Sequence, residues 1–180
     1  GHLNAIMMNL AEERGTSTIH YSHQCLGADL KNGKITLKDL QTGEVFEDQA
    51  DVVFAADGAY SAIRYNSMQK VDRFNFSQFY VEDGYKELLL PADKNGNYQI
   101  EKNALHIWPR GRFMLIALPN EDGSFTCTLF MPYENHEYAF NDLDSDEKID
   151  QFFKTVFPDF YAMIPNLIEN WHQNPLSSMS

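Results

Sequence analysis

The segment Asp51-Val52-Val53-Phe54-Ala55-Ala56-Asp57-Gly58-Ala59-Tyr60-Ser61-Ala62-Ile63-Arg64 holds the residues whose types and spacing best suit chemistry. An apolar run that stops at Asp57-Gly58, followed by Ser61 placed to cap a helix from Ala62, aims backbone N–H groups at one spot beside the end of the run. Such a spot attracts phosphate. Gly58 would let another backbone or a pyrophosphate approach closely, Asp57 would accept hydrogen bonds from a ribose or a neighbouring Arg, and Arg64 would supply positive charge. The same residues also fit a plainer role, in which Asp-Gly turns the chain and Ser61 caps a helix.

A second candidate lies further on. In the run Phe113 to Leu118, Met114, Ile116 and Leu118 share one face of a strand, and in Ser124 to Met131, Thr128 and Phe130 share one face. These make an apolar wall with one hydroxyl, suited to a planar aromatic molecule held away from water, although apolar alternation also serves plain core packing. Other chemistry-bearing residues read as structural. His106 beside Trp108 suits a hydrogen-bonded core position, and His20 and His23, three apart on a strand, face opposite sides and form no metal site. Arg110 and Arg112 flank a turn and are expected in solvent, with Arg110 able to pair with an acidic neighbour. No residue stands out as a general base.

The elements that must position these groups follow from spacing. Leu3, Ile6, Met7 and Leu10 repeat at helical spacing over residues 3–14, and Gly15 caps that helix. Thr18 to His23, Lys34 to Lys38 after the Asn32-Gly33 turn, and Glu44 to Glu47 after Thr42-Gly43 make an antiparallel meander. Val52 to Ala56 is apolar throughout, as in a strand covered on both faces. Leu105 to Trp108, Phe113 to Leu118 and Ser124 to Met131, separated by Arg110-Gly111 and Asp122-Gly123, make an antiparallel sheet of at least three strands. Asp144 and Glu147 resemble a capping box for a helix whose stripe is Ile149, Phe152, Phe153 and Val156 and which Pro158 ends, with a second short helix over 160–168. Asn174 to Ser180 reads as part of a strand that has been cut.

Composition narrows the function classes. The 180 residues are 43% hydrophobic, enough for a packed core, and 13% aromatic, which suits a flat ligand as well as a core. Acidic residues outnumber basic ones by 26 to 14, a net charge of −12, so nucleic acid is an unsuitable partner. Cys25 and Cys127 lack disulfide or zinc spacing, and no apolar run suffices to cross a bilayer. These features predict a soluble chain in a reducing, intracellular compartment.

The string Asp57-Gly58-Ala59-Tyr60-Ser61-Ala62-Ile63-Arg64 after an apolar run resembles the D-G-x-x-S-x-x-R motif of the single-component flavin-dependent aromatic hydroxylases. Five ordered blocks then follow: Phe74 to Gln78, Gly84 to Leu88, Leu105 to Arg110, Phe113 to Asn120 and Ser124 to Pro132. This series is similar to the kynurenine-hydroxylating members of that family, and the likeness spans nearly the whole chain. It implies an α+β fold: part of an FAD-binding, glutathione-reductase-like domain over residues 1–73, then an antiparallel-sheet substrate domain with covering helices over 74–180, truncated at its C-terminal end. Members of the family open with a G-x-G-x-x-G strand and carry a later G-D motif. Neither occurs here, so the resemblance implies an internal piece of a longer enzyme, inactive alone.

The resemblance also implies a chemistry that belongs to the cofactor: NADPH reduces FAD, O₂ adds to give the C4a-hydroperoxide, and the ring of L-kynurenine takes the distal oxygen to give 3-hydroxykynurenine. It places Asp57, Gly58 and Arg64 at FAD, with Cys25 touching it through the backbone, although Cys25 also fits a small buried apolar residue. It places Leu105, Met114, Ile116, Leu118, Thr128 and Phe130 around the kynurenine ring. Two alternatives remain: a flavin hydroxylase for another aromatic substrate, and a non-catalytic module that binds a ligand or a partner. The expected location is cytoplasmic, with no membrane contact from this segment, although some relatives carry a C-terminal anchor. An uncovered Val52 to Ala56 would favour self-association of the piece.

Overall fold

The computed structural model describes residues 2–180, and the chain divides into two compact units between Ser77 and Gln78. Its helices and antiparallel sheets make it an α+β protein.

The first unit opens with helix α1, His2–Glu13, stopped by Gly15, whose N–H bonds back to the Glu12 carbonyl. Its apolar stripe of Leu3, Ile6, Met7 and Leu10 is exposed, and α1 buries no residue among those described. Strands β1 (His23–Asp29), β2 (Lys34–Asp39) and β3 (Val45–Gln49) then form the antiparallel meander. Gly33 makes the first turn possible: its φ is +72°, and a Cβ there would stand 2.2 Å from the Ala50 carbonyl oxygen. The first strand starts at His23, not Thr18, because Ser22 takes a positive φ of 58° that breaks the extended line. A register shift between Cys25 and Gly27 bulges β1. There helix α2, Ala62–Asn66, and the residue after it dock: the Asn66 amide donates to the Leu26 carbonyl at 2.8 Å, and the Ser67 hydroxyl accepts from Ala28 N–H at 2.7 Å.

The expectation of a doubly covered strand at Val52 to Ala56 does not hold. These residues have no strand partner among those described, and Phe54 is 89% exposed. An apolar run becomes a buried strand only when neighbours hydrogen-bond to its edges, and no described segment does so.

The second unit is a five-stranded antiparallel sheet in the order β5-β6-β7-β4-β8, in which β4 and β8 join the three expected strands. The strands are β4 (Asp83–Leu90), β5 (His106–Arg110), β6 (Phe113–Pro119), β7 (Phe125–Pro132) and β8 (Leu176–Ser178). One face carries Leu88, Leu115, Ala117, Cys127, Leu129 and Met131, all buried against helices α3 (Asp146–Val156), α4 (Pro158–Tyr161) and α5 (Leu167–Gln173). Phe152, Phe153, Phe157, Phe160 and Trp171 fill that core. Each such side chain contributes about 1.5–3 kcal/mol on full burial, and this unit holds most of the buried apolar residues.

Two helix boundaries differ from expectation. Ser145, not Asp144, caps α3, its hydroxyl accepting from Lys148 N–H, while the Asp144 carboxylate pairs with Lys148 Nζ at 2.8 Å. The helix expected over 160–168 is instead α4, a turn and α5, since Pro165 supplies no N–H to carry a helix onward. The Trp108 indole donates to Asp159 at 2.6 Å and ties β5 to α4.

Candidate functional site

In the first unit the loop Asp57 to Arg64 is built as the sequence suggests, and several of its donors are engaged within the loop itself. Ser61 caps α2, its hydroxyl accepting from Arg64 N–H at 3.0 Å. Asp57 Oδ2 accepts from Ile63 N–H at 3.4 Å. The Ser61 hydroxyl beside it holds the Asp57 carboxyl below the usual carboxylate range, and the Ile63 and Ala62 amides add to this against the opposing effect of burial. The chain's own carboxylate therefore occupies one of the N–H groups, that of Ile63, at the spot where free donors were expected to receive phosphate.

Arg64 also turns inward. Its guanidinium donates to the Gly58 carbonyl at 3.3 Å and to the Ala59 carbonyl, and it lies over the Phe76 ring at 4.7 Å and the Tyr65 ring at 5.1 Å. Its Nε is buried without a hydrogen-bond partner. Gly58, at φ +78°, faces open space: a Cβ there would meet nothing within 4 Å. Cys25 is half-buried on β1, a free thiol with Sγ 3.7 Å from the Gly27 carbonyl oxygen. A groove of about 740 Å³ runs along the same unit, lined by the β1–β2 turn, residues 49–51 and 53–55, Ile63 and Met68.

In the second unit the strand register sets the candidate pocket residues in rows. Pro109, Met114, Phe130 and Tyr85 are paired in turn across β5, β6, β7 and β4. Ile107, Ile116, Thr128 and Glu87 make the next row, and Leu118, Thr126 and Leu89 the third. Directly paired residues of antiparallel strands project to the same side, so Met114, Ile116, Leu118, Thr128 and Phe130 all stand on the face opposite the helices. That face is open. Met114, Leu118, Ile107 and Leu89 are exposed, as is Leu105 just before β5, while Ile116, Thr128 and Phe130 are half-buried. The Tyr85 and Phe130 rings lie 6.2 Å apart. A cleft of about 490 Å³ at one end of the face is lined by Met114, Phe130, Pro109, Met179 and the Arg112–Asp83 ion pair, 3.0 Å long.

The remaining polar candidates are structural. His106 Nε2 lies 2.7 Å from the Glu101 carbonyl oxygen, and its ring stacks on Trp108. Arg110 is not left to solvent: Nε donates to the Val156 carbonyl at 2.8 Å, and the guanidinium lies over Phe157. His20 and His23 meet edge to face at 5.9 Å, and no three His, Cys, Asp or Glu side chains are grouped to hold a metal among the described residues. No described helix is long and apolar enough to cross a membrane. Tyr85, Glu87 and Leu89 were not foreseen as part of the open face. The period-two alternation of β4 was the available signal, obscured because Lys86 points into the core and Leu89 out of it.

No family model matches the chain. The fold is shared with a solved structure of Klebsiella pneumoniae HpxO complexed with FAD and uric acid, which aligns over 97% of this chain and 40% of its own, at TM-score 0.52 and 13% identity. Sequence likeness is much more specific, and it is to kynurenine 3-monooxygenases. The enzyme of that name from Dictyostelium discoideum is 49% identical over 159 residues, 88% of this chain, and that from Flavobacterium psychrophilum 45% over 179 residues, 99% of this chain. The chain spans 33% and 39% of the lengths of these relatives.

Proposed function

We propose that the chain is part of an FAD-dependent monooxygenase that hydroxylates L-kynurenine to 3-hydroxykynurenine with NADPH and O₂. The observation that carries the reading is the open apolar face of the second unit, which presents Met114, Ile116, Leu118 and Phe130 to a ligand and not to the core. Kynurenine carries a flat aryl ketone, and a face of this kind holds such a ring while excluding water from the reacting centre. Thr128, the hydroxyl within the wall, orients the ring, and Leu105 borders it. When bound, FAD supplies the redox chemistry, drawing reducing equivalents from NADPH and activating O₂ for transfer to the ring. The protein contributes position and dryness, so no side chain of this chain is assigned acid or base work.

In this reading residues 1–73 are part of the FAD-binding domain and 74–180 the substrate domain. Gly58, open to close approach, and the backbone at Cys25 fit contact with FAD. Asp57 and Arg64 fit best as the residues that hold the loop in shape, because their charged groups are engaged within it. The two cysteines without a disulfide suit the cytoplasm. Exposed Val52 and Phe54 favour self-association of the piece, which light scattering would read as a mass above 20.7 kDa. The decisive experiment uses the full-length protein that contains this segment, assayed for kynurenine-stimulated NADPH oxidation together with formation of 3-hydroxykynurenine. Absence of stimulation across its soluble pH range would overturn the assignment.

A further inference from the structure

Glu87 is the one carboxylate in the three rows of the open face, and its surroundings do not account for it. It is exposed and makes no hydrogen bond or ion pair among the described residues, while its same-face neighbours on β4 are Tyr85 and Leu89. The register sets Glu87 opposite Thr128, and Thr128 opposite Ile116. Cross-strand partners have Cβ atoms about 4.5–5.5 Å apart, so a ring lying on Ile116 and Phe130 has an edge within reach of both the Thr128 hydroxyl and the Glu87 carboxylate. A ligand that covers this face strips water from Glu87. Covering an unpaired carboxylate with hydrocarbon is costly, and giving it an N–H donor removes the cost.

Resting on the kynurenine reading above, we propose that Glu87 is a specificity-determining residue that accepts a hydrogen bond from the primary amine on the substrate's aromatic ring. The amine sits beside the ring carbon that is hydroxylated, and an anion drawing on its N–H pushes electron density into that position. No proton changes owner in this contact. The carboxylate thereby selects an aminoaryl ketone over the same ketone without the amine.

The test uses the full-length protein with Glu87→Ala and Glu87→Gln, and measures dissociation constants by calorimetry for L-kynurenine and for β-benzoyl-L-alanine, which keeps the amino-acid head group and lacks the ring amine. A lost charge-assisted hydrogen bond weakens kynurenine binding about ten-fold or more in Glu87→Ala. Glu87→Gln, which keeps an acceptor oxygen without the charge, falls between. Affinity for the des-amino ligand stays level or rises, and its retention shows that the variants are folded. Equal weakening of both ligands, as a contact to the head group would give, overturns the proposal, as does unchanged kynurenine affinity. A wild-type protein that binds neither ligand refutes the kynurenine reading itself, a result distinct from either pattern.

Discussion

Leu115 and Met114 are neighbours on β6 that face opposite ways, and replacing each with alanine separates core from site. Leu115 is 0% exposed and pairs with Leu129, also fully buried, beneath the helices. Met114 is 39% exposed and pairs with Phe130 on the open face. Leu115→Ala loses the transfer energy of the removed carbons and leaves a cavity that the packed rings around it cannot close, a cost of about 2.5–5 kcal/mol. Met114→Ala opens onto solvent, so no enclosed void forms, and the partial burial lost is worth about 1 kcal/mol. Trp108 and Trp171, the two tryptophans, both lie in the second unit, so urea unfolding followed by tryptophan fluorescence reads that unit alone. With a slope of about 2 kcal/mol/M, the midpoint falls by more than 1 M for Leu115→Ala and by about 0.5 M for Met114→Ala. On the proposed reading, the order reverses for ligand binding in the full-length protein, with Met114→Ala weakening kynurenine more. Equal midpoint shifts would refute the division of β6 into a packed side and a working side.

Further outcomes test the frame around that face. Asn170, 3% exposed, joins α5 to β4 by accepting from Leu89 N–H at 2.9 Å and donating to the Leu89 carbonyl at 3.1 Å. Asn170→Ala strands both backbone groups and should cost about 2–4 kcal/mol by the same fluorescence assay, with a loss under 0.5 kcal/mol counting against the bridge. Burial pushes the Cys127 thiol up to about 12, so alkylation of the native chain, read by mass spectrometry, should modify Cys25 and spare Cys127 until denaturant is added. Lys86 is 5% exposed, donates to the Asn174 carbonyl and lies over Trp171, and desolvation holds its pKa below the ordinary 10.5. The folded state gives up this proton before the unfolded state does, so stability gains as pH rises from the folded value toward 10.5. Lys86→Met should lack that gain, and identical pH profiles for the two proteins would exclude Lys86 as its source.

What was legible in the sequence, and what was not, follows from how local each determinant is. The Asn32-Gly33 and Asp122-Gly123 turns, the stripe of α3 and the alternation of β6 and β7 are written in adjacent residues, and these placed Met114, Ile116, Leu118, Thr128 and Phe130 on common faces. β4 was hidden because Lys86 points inward and Leu89 outward, reversing the polarity that alternation relies on; the inward lysine is accommodated by Trp171 and Asn174, more than 80 residues away. The state of Val52 to Ala56 depends on neighbours rather than on its own composition. At Asp57 the difficulty was competition. A carboxylate six residues before a helical amide can serve a ligand or cap that amide itself, and only geometry tells the two apart.

Because side chains alternate along a strand, the open wall and the buried core are two readings of the same register, and a slip of one residue would exchange them. Residues that never reach the open face therefore decide its composition. Asn120 ties the β6–β7 turn by donating to Ser124 Oγ at 3.0 Å and to Thr126 Oγ1 at 3.2 Å, while the Tyr98 hydroxyl holds the Asn120 carbonyl at 2.6 Å. Asn170 does the same for β4 from the helix side. Between them these amides fix which of Leu129 or Phe130, and which of Lys86 or Glu87, stands on the open face. Damage to these ties would then weaken ligand binding through register as well as through stability, and variants that lose affinity far from the wall are most economically sought at Asn120, Ser124 and Asn170.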